Sequence, residues 1–403
     1  MTRSLRTVTA VVLLLLAVAP ARASWLRNPR RSARQRDAPV SPSPPSGAEA
    51  SASRRVTLPA RGGSEPAVVA PDGREKVTAI AGVFTGVGRE YFDRRQAVRK
   101  YWVPGSEAAI RALQSERGVV VRFVMGFSGD EAENSLLAEE ESLYGRMIRL
   151  DVREKYHNLV LKMRRYMAAV VATYDFGYAL KVDDDVYHNP FRLAYAAAEW
   201  AAAGADYVGC FLRDNGITRN TNNKWFEPNA ELLGRTYFTY PAGPTYGVSQ
   251  RAAALVSSLP DGALRFYGCG DDCSVASWML ALNVTWHDDR RLCTRVCQDN
   301  SLTVRQGPGL KNPFEQLPVL HADPLCSADT KPGPPRINPD PRPNAKPDPV
   351  FDFSNTNCYK MASATDTSFE ACLANHKPAA PKEPAKPSRG GSGGGGKPLQ
   401  AAA

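Results

Sequence analysis

The sequence predicts an α/β domain, a mostly parallel sheet with helices on both faces, over residues 76–326. Three observations predict it. Apolar runs of strand length alternate with longer amphipathic segments, the pattern of βαβ units. Segments rich in Pro, Ser, Arg, Lys and Gly bound the region on both sides. One apolar run ends in three aspartates, at the carboxyl end where open α/β sheets hold ligands.

The elements follow in order. VTAIAGVF (77–84) is a continuous apolar run, fit for a buried strand. RRQAVRKYW reads as a helix, VVVRFVMG (119–126) as a second strand, and residues 130–143 as an acidic helix. RMIRLDV is a short strand and HNLVLKMRRYMAAVVATY a long amphipathic helix. YALKVDD (178–184) is another strand, followed by a helix through Ala201 and by the strand DYVGCFL. The chain shows no internal repeat.

The flanks are of another kind. Arg3 and Arg6 precede an apolar run from Val8 to Ala19, and Ala21-Arg22-Ala23 follows as a cleavage pattern. The run is shorter than the ~20 residues that span a bilayer. Residues 1–23 are therefore a cleaved signal peptide or a short signal-anchor, and either delivers the chain to the secretory lumen. Retained, it makes a single-pass type II membrane protein; cleaved, it leaves a luminal or secreted chain. Residues 24–75 read as a disordered Pro/Ser/Arg-rich stem, and 327–403 as a Pro/Lys/Gly-rich tail. Within the tail, Cys358 and Cys372 flank a less biased stretch that can close a small loop. The net charge of +10 lies largely in these flanks, so it does not mark a nucleic-acid-binding module.

Eight cysteines in an oxidising compartment suggest disulfides. Cys269 and Cys273, with Cys293 and Cys297, also offer zinc-like spacing, but the compartment favours cross-links. Asn283-Val284-Thr285 is an N-glycosylation acceptor wherever it is exposed.

The chemistry concentrates at two acidic sites. In KVDDDVYHNP, Asp183, Asp184 and Asp185 end a buried strand. A solvated acidic loop is the plain reading. Three adjacent carboxylates repel one another, however, and gain little unless a cation joins them. A hard divalent ion prefers such oxygens, and a nucleotide diphosphate needs such an ion. In RFYGCGDDCSVASWMLALNV, Asp271 and Asp272 precede a helical stretch. One carboxylate can cap the helix while the other faces the cleft as a base. Between the two sites lies an aromatic-rich loop with Trp225, Tyr237, Phe238, Tyr240 and Tyr246. Packing is the common role of such residues; stacking on sugar faces is the functional one. His188, His287 and His321 are candidate metal ligands, and His321 is the best placed because it follows an apolar, strand-like run.

The blocks RRQAVRKYW, FVMGFSG, ESLYGRMIRLDVREKYHNLVLKM, KVDDDVYHN, TYPAGPTYGVS and DDCSVASWMLALNVTWHDDRRLC resemble, in order, those of glycosyltransferase family 31, within it the plant and algal β-1,3-galactosyltransferase branch. They cover nearly all of 76–326. The resemblance implies a GT-A fold, a UDP-sugar donor, a manganese-type divalent cofactor and inverting transfer to a glycan or glycoprotein acceptor. It makes Asp185 the metal ligand, with His321 as a late second one, and Asp183 and Asp184 donor-side carboxylates. Arg95, Arg99 and Lys162 fall in motifs on the nucleotide side. Asp272 matches the general base; Trp225, Tyr246 and Asp271 are the acceptor-side candidates. The chain departs from the family pattern at Asp271, Cys273, Ala276 and Thr245, which bears on acceptor choice.

The leading expectation is β-1,3 transfer of galactose from UDP-galactose. The alternatives are a UDP-N-acetylglucosamine-dependent transferase and a catalytically silent secreted carbohydrate-binding protein on the same fold. The unbroken aspartate run argues against the last.

Overall fold

The structure is a computed structural model that describes residues 70, 72–305 and 309–336. The signal or anchor segment, most of the stem, the tail beyond 336 and the expected Cys358–Cys372 loop lie outside the described residues.

In chain order the elements are β1 (Glu75–Phe84), α1 (Arg89–Tyr101), α2 (Glu107–Arg117), β2 (Val119–Phe127), α3 (Glu131–Tyr144), β3 (Met147–Arg153), α4 (Leu159–Thr173), β4 (Tyr174–Asp183), β5 (Tyr187–His188) and α5 (Pro190–Ala202). They continue as β6 (Tyr207–Leu212), α6 (Ala230–Leu233), β7 (Tyr240–Ser249), α7 (Gln250–Ser258), α8 (Asp271–Ala281), β8 (Trp286–Asp288), β9 (Thr303–Val304), α9 (Pro313–Ala322) and α10 (Pro324–Ser327). Seven strands form one sheet in the order β3-β2-β1-β4-β7-β6-β8. Neighbours are parallel except at β7, which runs antiparallel to both β4 and β6.

The sheet is covered on both faces, as its near-continuous apolar strands require. Side chains alternate across a strand. Ala79, Ala81 and Val83 of β1 and Leu180 and Val182 of β4 pack against Val98 of α1, Leu113 of α2 and Leu193, Ala196 and Trp200 of α5. Ile80 and Ala179 point the other way, into a core with Met163, Tyr166 and Val170 of α4, Ala253 of α7 and Met279 of α8. Local signals set the helix ends. Ser106 accepts from the Ala109 amide at the start of α2, and Gly118 closes that helix with φ of 64°. Asn189 caps α5, with Pro190 in its first turn.

Two expectations are corrected here. The aromatic-rich stretch before the second acidic site is not all loop, because its last part is β7. Its prolines fall outside the stretch paired with β4, which begins at Thr245, so Pro241 has a strand partner on one side only, Phe211 of β6. The apolar run before His321 is a helix rather than a strand: Asn312 accepts from the Glu315 amide and Pro313 opens the first turn.

All six cysteines among the described residues are paired, as Cys210–Cys293, Cys269–Cys273 and Cys297–Cys326. The first pins β6 to the turn after β8. That turn is held from inside the protein: Trp200 donates its indole N–H to Asp289 at 2.8 Å, and Asp289 pairs with Arg291 at 2.7 Å. The DDRRLC block thus serves as a buried anchor.

Candidate active site

The carboxyl end of β4 carries the aspartate run, and strand alternation splits it. Lys181 and Asp183 share one face, turned toward α8. Lys181 Nζ lies 2.6 Å from Asp183 and 3.7 Å from Asp271, and donates to the Gly243 carbonyl at 2.5 Å. Asp184, just past the strand, turns the opposite way to α1, where Arg94 Nη1 meets it at 3.1 Å and reaches Asp185 at 3.8 Å. Three adjacent carboxylates therefore meet two different cations.

Asp271 and Asp272 open α8. The N-cap is Gly270, so neither aspartate occupies the cap position. Asp272 Oδ1 accepts from the Cys273 amide at 2.9 Å, and Asp271 Oδ2 accepts from the Tyr246 hydroxyl at 2.6 Å. Gly243 on β7 makes room for the base: a Cβ there would stand 3.0 Å from Asp272 Oδ2. Gly309 does the same for Asp185, whose carboxylate a Cβ would strike.

Asp183, Asp271 and Asp272 line one side of a cavity of about 560 Å³, with Tyr156, Trp225 and Tyr240 on another; Asp184 and Asp185 are not among its lining residues. Lys224 lies over the Tyr156 and Trp225 rings at 5.1 and 4.8 Å. Buried Glu227 fastens this wall, accepting from the Tyr237 hydroxyl at 3.0 Å and the Gly268 amide at 2.7 Å.

The electrostatics follow from burial and crowding. Burial, then repulsion from Asp271, pushes the Asp272 carboxyl up to about 7. Burial, then Asp185, lifts Asp183 to about 7 against the opposing pull of Lys181. Burial, then Asp184, lifts Asp185 to about 6. Burial works against the charge of Lys181, yet Asp183 and Asp271 hold it above its ordinary value. Asp184 Oδ2 and Asp185 Oδ1 are buried oxygens without a hydrogen-bond partner. Hard carboxylate oxygens left in this state fit a divalent cation.

Other expected residues stand elsewhere. Arg95 and Arg99 both pair with Glu140, at 2.5 and 2.7 Å, beneath α1 rather than at the cavity. Lys162 is buried between Glu154 and the Thr85 carbonyl, at 2.6 Å from each, beside the end of β1. Tyr246 is fully buried, so it supports Asp271 instead of touching an acceptor. His321 is exposed near the end of α9, its Nδ1 3.4 Å from the Tyr187 hydroxyl, and does not line the cavity. His188 is fully buried, held by burial down to about 3, and its Nδ1 lies 2.9 Å from Thr303 Oγ1. His287 is half-buried on β8. Among the described residues, Cys269, Asp272 and Cys273 form the one tight group of three potential ligands, but its sulfurs are joined to each other. Asn283 is exposed on the turn after α8, with φ of 50°.

Three residues at this site were missed in the sequence: Lys181, Arg94 and Tyr156. Period-two alternation was a usable signal for Lys181, which sits two residues before Asp183. Arg94 is nearer than Arg95 and Arg99 to the first turn of α1, the turn that follows the carboxyl end of β1.

Residues 93–290 match the family model described as galactosyltransferase. The chain is similar to the probable beta-1,3-galactosyltransferase 13 of Arabidopsis thaliana, 33% identical over 257 residues, 63% of this chain and 74% of that protein. The chain belongs to the β-1,3-galactosyltransferase family. Probable beta-1,3-galactosyltransferase 12 of the same plant is 33% identical over 280 residues, 69% of this chain and 73% of that protein. The hydroxyproline O-galactosyltransferase HPGT3, also of Arabidopsis thaliana, is 30% identical over 236 residues, 57% of this chain and 66% of that protein. Both aspartate sites lie inside the matched stretch. This galactosyltransferase-family enzyme has a mixed α/β fold built on a seven-stranded, mostly parallel sheet, and a nucleotide sugar is its donor class.

Proposed function

We propose that this enzyme transfers galactose from UDP-galactose to a sugar hydroxyl in β-1,3 linkage, with inversion and with a divalent cation such as manganese. The observation that carries the reading is the placement of Asp183 and Asp272 on one cavity, with Lys181 between the two aspartate sites. Asp185, with Asp184 beside it, would hold the cation. When bound, the cation neutralises charge on the diphosphate leaving group.

The protein's own groups supply the rest. Asp272, held near 7 by burial and by Asp271, suits a base that takes the proton of the attacking acceptor hydroxyl at neutral pH. Attack on the face opposite the leaving diphosphate turns an α-linked donor into a β-linked product. Lys181 offsets the negative charge of Asp183 and Asp271, which limits the repulsion that Asp272 meets as it ionises. Trp225 and Tyr156 offer flat apolar faces against which a sugar ring can stack. The three disulfides and the apolar N-terminal run support a luminal site of action, with Golgi retention or secretion depending on cleavage.

The test is release of UDP by the purified chain from UDP-galactose and UDP-N-acetylglucosamine, with and without manganese. The acceptor panel includes β-galactosides and a hydroxyproline peptide, the acceptor named for one relative. Manganese-dependent turnover of UDP-galactose supports the reading. Turnover of UDP-N-acetylglucosamine alone replaces the donor. No turnover with any pair favours a silent carbohydrate binder.

A further inference from the structure

A second cavity, of about 420 Å³, opens between α1, the turn into α2 and the start of β3. It shares no lining residue with the cavity at the aspartates. Its walls include Ile110, Phe123 and Tyr144, and α1 contributes Gln96, Arg99 and Lys100.

The Arg99 guanidinium lies 4.6 Å from the Phe123 ring centre and 4.3 Å from that of Tyr144. Its Nη1 donates to Glu140 at 2.7 Å, while its Nη2 is buried with no hydrogen-bond partner. Gln96 Nε2, three residues earlier on the same helix, is likewise buried and without a partner. The charge does not balance either. Glu140 answers both Arg95 and Arg99, so two guanidiniums share one carboxylate. Lys100 adds a further positive charge at the rim, and Arg146 and Glu107 pair with each other. A buried cation with an unmade hydrogen bond costs free energy that an incoming anion recovers. Consistent with this, burial holds Arg99 below its ordinary value even with Glu140 beside it.

We propose that this cavity is a second ligand site, for an organic monoanion with an apolar body. The acidic group bonds to Arg99 Nη2 and Gln96 Nε2, and the body lies against Ile110, Phe123 and Tyr144. Among the described residues, Arg99 is the one uncompensated guanidinium inside the cavity, Lys100 being exposed at the rim, so the buried end calls for a single negative charge. The apolar walls favour an organic acid over inorganic phosphate.

The probe is 8-anilinonaphthalene-1-sulfonate, titrated by fluorescence into the full chain, with neutral N-phenyl-1-naphthylamine as its control. One saturable site for the sulfonate is expected, undisturbed by UDP and manganese. Gln96→Glu, nearly isosteric, places a carboxylate against the ligand's own. It should weaken binding by roughly tenfold or more, the loss of one charge-assisted hydrogen bond. Arg99→Gln should do the same, and a melting curve shows whether that variant folds; Gln96→Glu decides if it does not. Equal binding of the neutral control, displacement by UDP, or unchanged affinity in Gln96→Glu would overturn the proposal.

Discussion

Tyr246 donates its hydroxyl hydrogen to Asp271 at 2.6 Å, and both residues are buried. The bond gives Asp271 a neutral partner at a place where its neighbour Asp272 needs freedom to change protonation. Tyr246→Phe removes that partner and keeps the ring. Stability should fall by about 1–3 kcal/mol, the cost of leaving a buried acceptor unsatisfied. Chemical denaturation measures it. UDP affinity should stay unchanged, because the donor-side aspartates make no contact with this hydroxyl.

Arg94 and Arg99 lie on one helix and should behave differently. Arg94 sits 3.1 Å from Asp184 and competes with any cation for the aspartates. Arg94→Gln should therefore raise manganese affinity by roughly tenfold, the scale on which a neighbouring guanidinium shifts a carboxylate. Arg99→Gln should leave that affinity unchanged and lower stability, since Glu140 loses one of its two partners. Electron paramagnetic resonance of free manganese, with a thermal melt alongside, separates the two outcomes.

The parallel half of the sheet was legible because β1 and β2 are nearly unbroken apolar runs, and β4 announced the site by ending in Asp183, Asp184 and Asp185. β7 was not legible, because Pro241, Gly243, Pro244 and Gly247 interrupt its pattern. Its strand character comes from pairing with β4 and β6 on either side. Arg94 and Arg95 looked equivalent in RRQAVR. Which one meets Asp184, and which one is buried with Glu140 of α3, depends on packing between segments far apart in the chain. His321 shows the converse error, where an apolar run suggested a strand and local capping by Asn312 made a helix.

The Cys210–Cys293 disulfide closes a separation of 83 residues around β7 and α8. Replacing both cysteines by alanine should cost about 2–5 kcal/mol, the usual worth of such a cross-link. Denaturant unfolding of the purified variant checks it. A loss near zero would mean that the buried Asp289–Arg291 anchor alone holds this turn.

Protonation also couples to stability. Asp183 and Asp272 are held near 7 and Asp185 near 6, against an ordinary 3.8, chiefly by burial. From about pH 4 to about pH 7 the folded chain therefore keeps protons that the unfolded chain has released. Stability contributed by these groups falls as pH rises through that window. In chelator, the melting temperature should drop from about pH 5 to about pH 7.5. Manganese should shrink the drop at the upper end, because it binds the ionised form. A melting temperature that climbs steadily across the window in chelator would show that these carboxyls are not protonated in the folded protein.

Asp272 separates an enzyme from a binding relative. As the base it must be ionised, so kcat/KM should rise with pH and level off above about 7, where its carboxyl titrates. Asp272→Asn keeps the size of the side chain and its acceptor for the Cys273 amide, but cannot take the acceptor's proton. Turnover should fall by roughly two to four orders of magnitude, the usual contribution of a positioned base, and the acid limb near 7 should vanish. UDP affinity in manganese should change little, since Asp184 and Asp185 meet Arg94 on the α1 side of the strand end. Asp271→Asn is the control: its partner is Tyr246, so its rate loss should be the smaller of the two. If Asp272 merely steadies the first turn of α8, asparagine serves nearly as well and neither the rate nor the limb moves. A full wild-type rate in Asp272→Asn, measured with an accepted sugar, would assign the proton to another group.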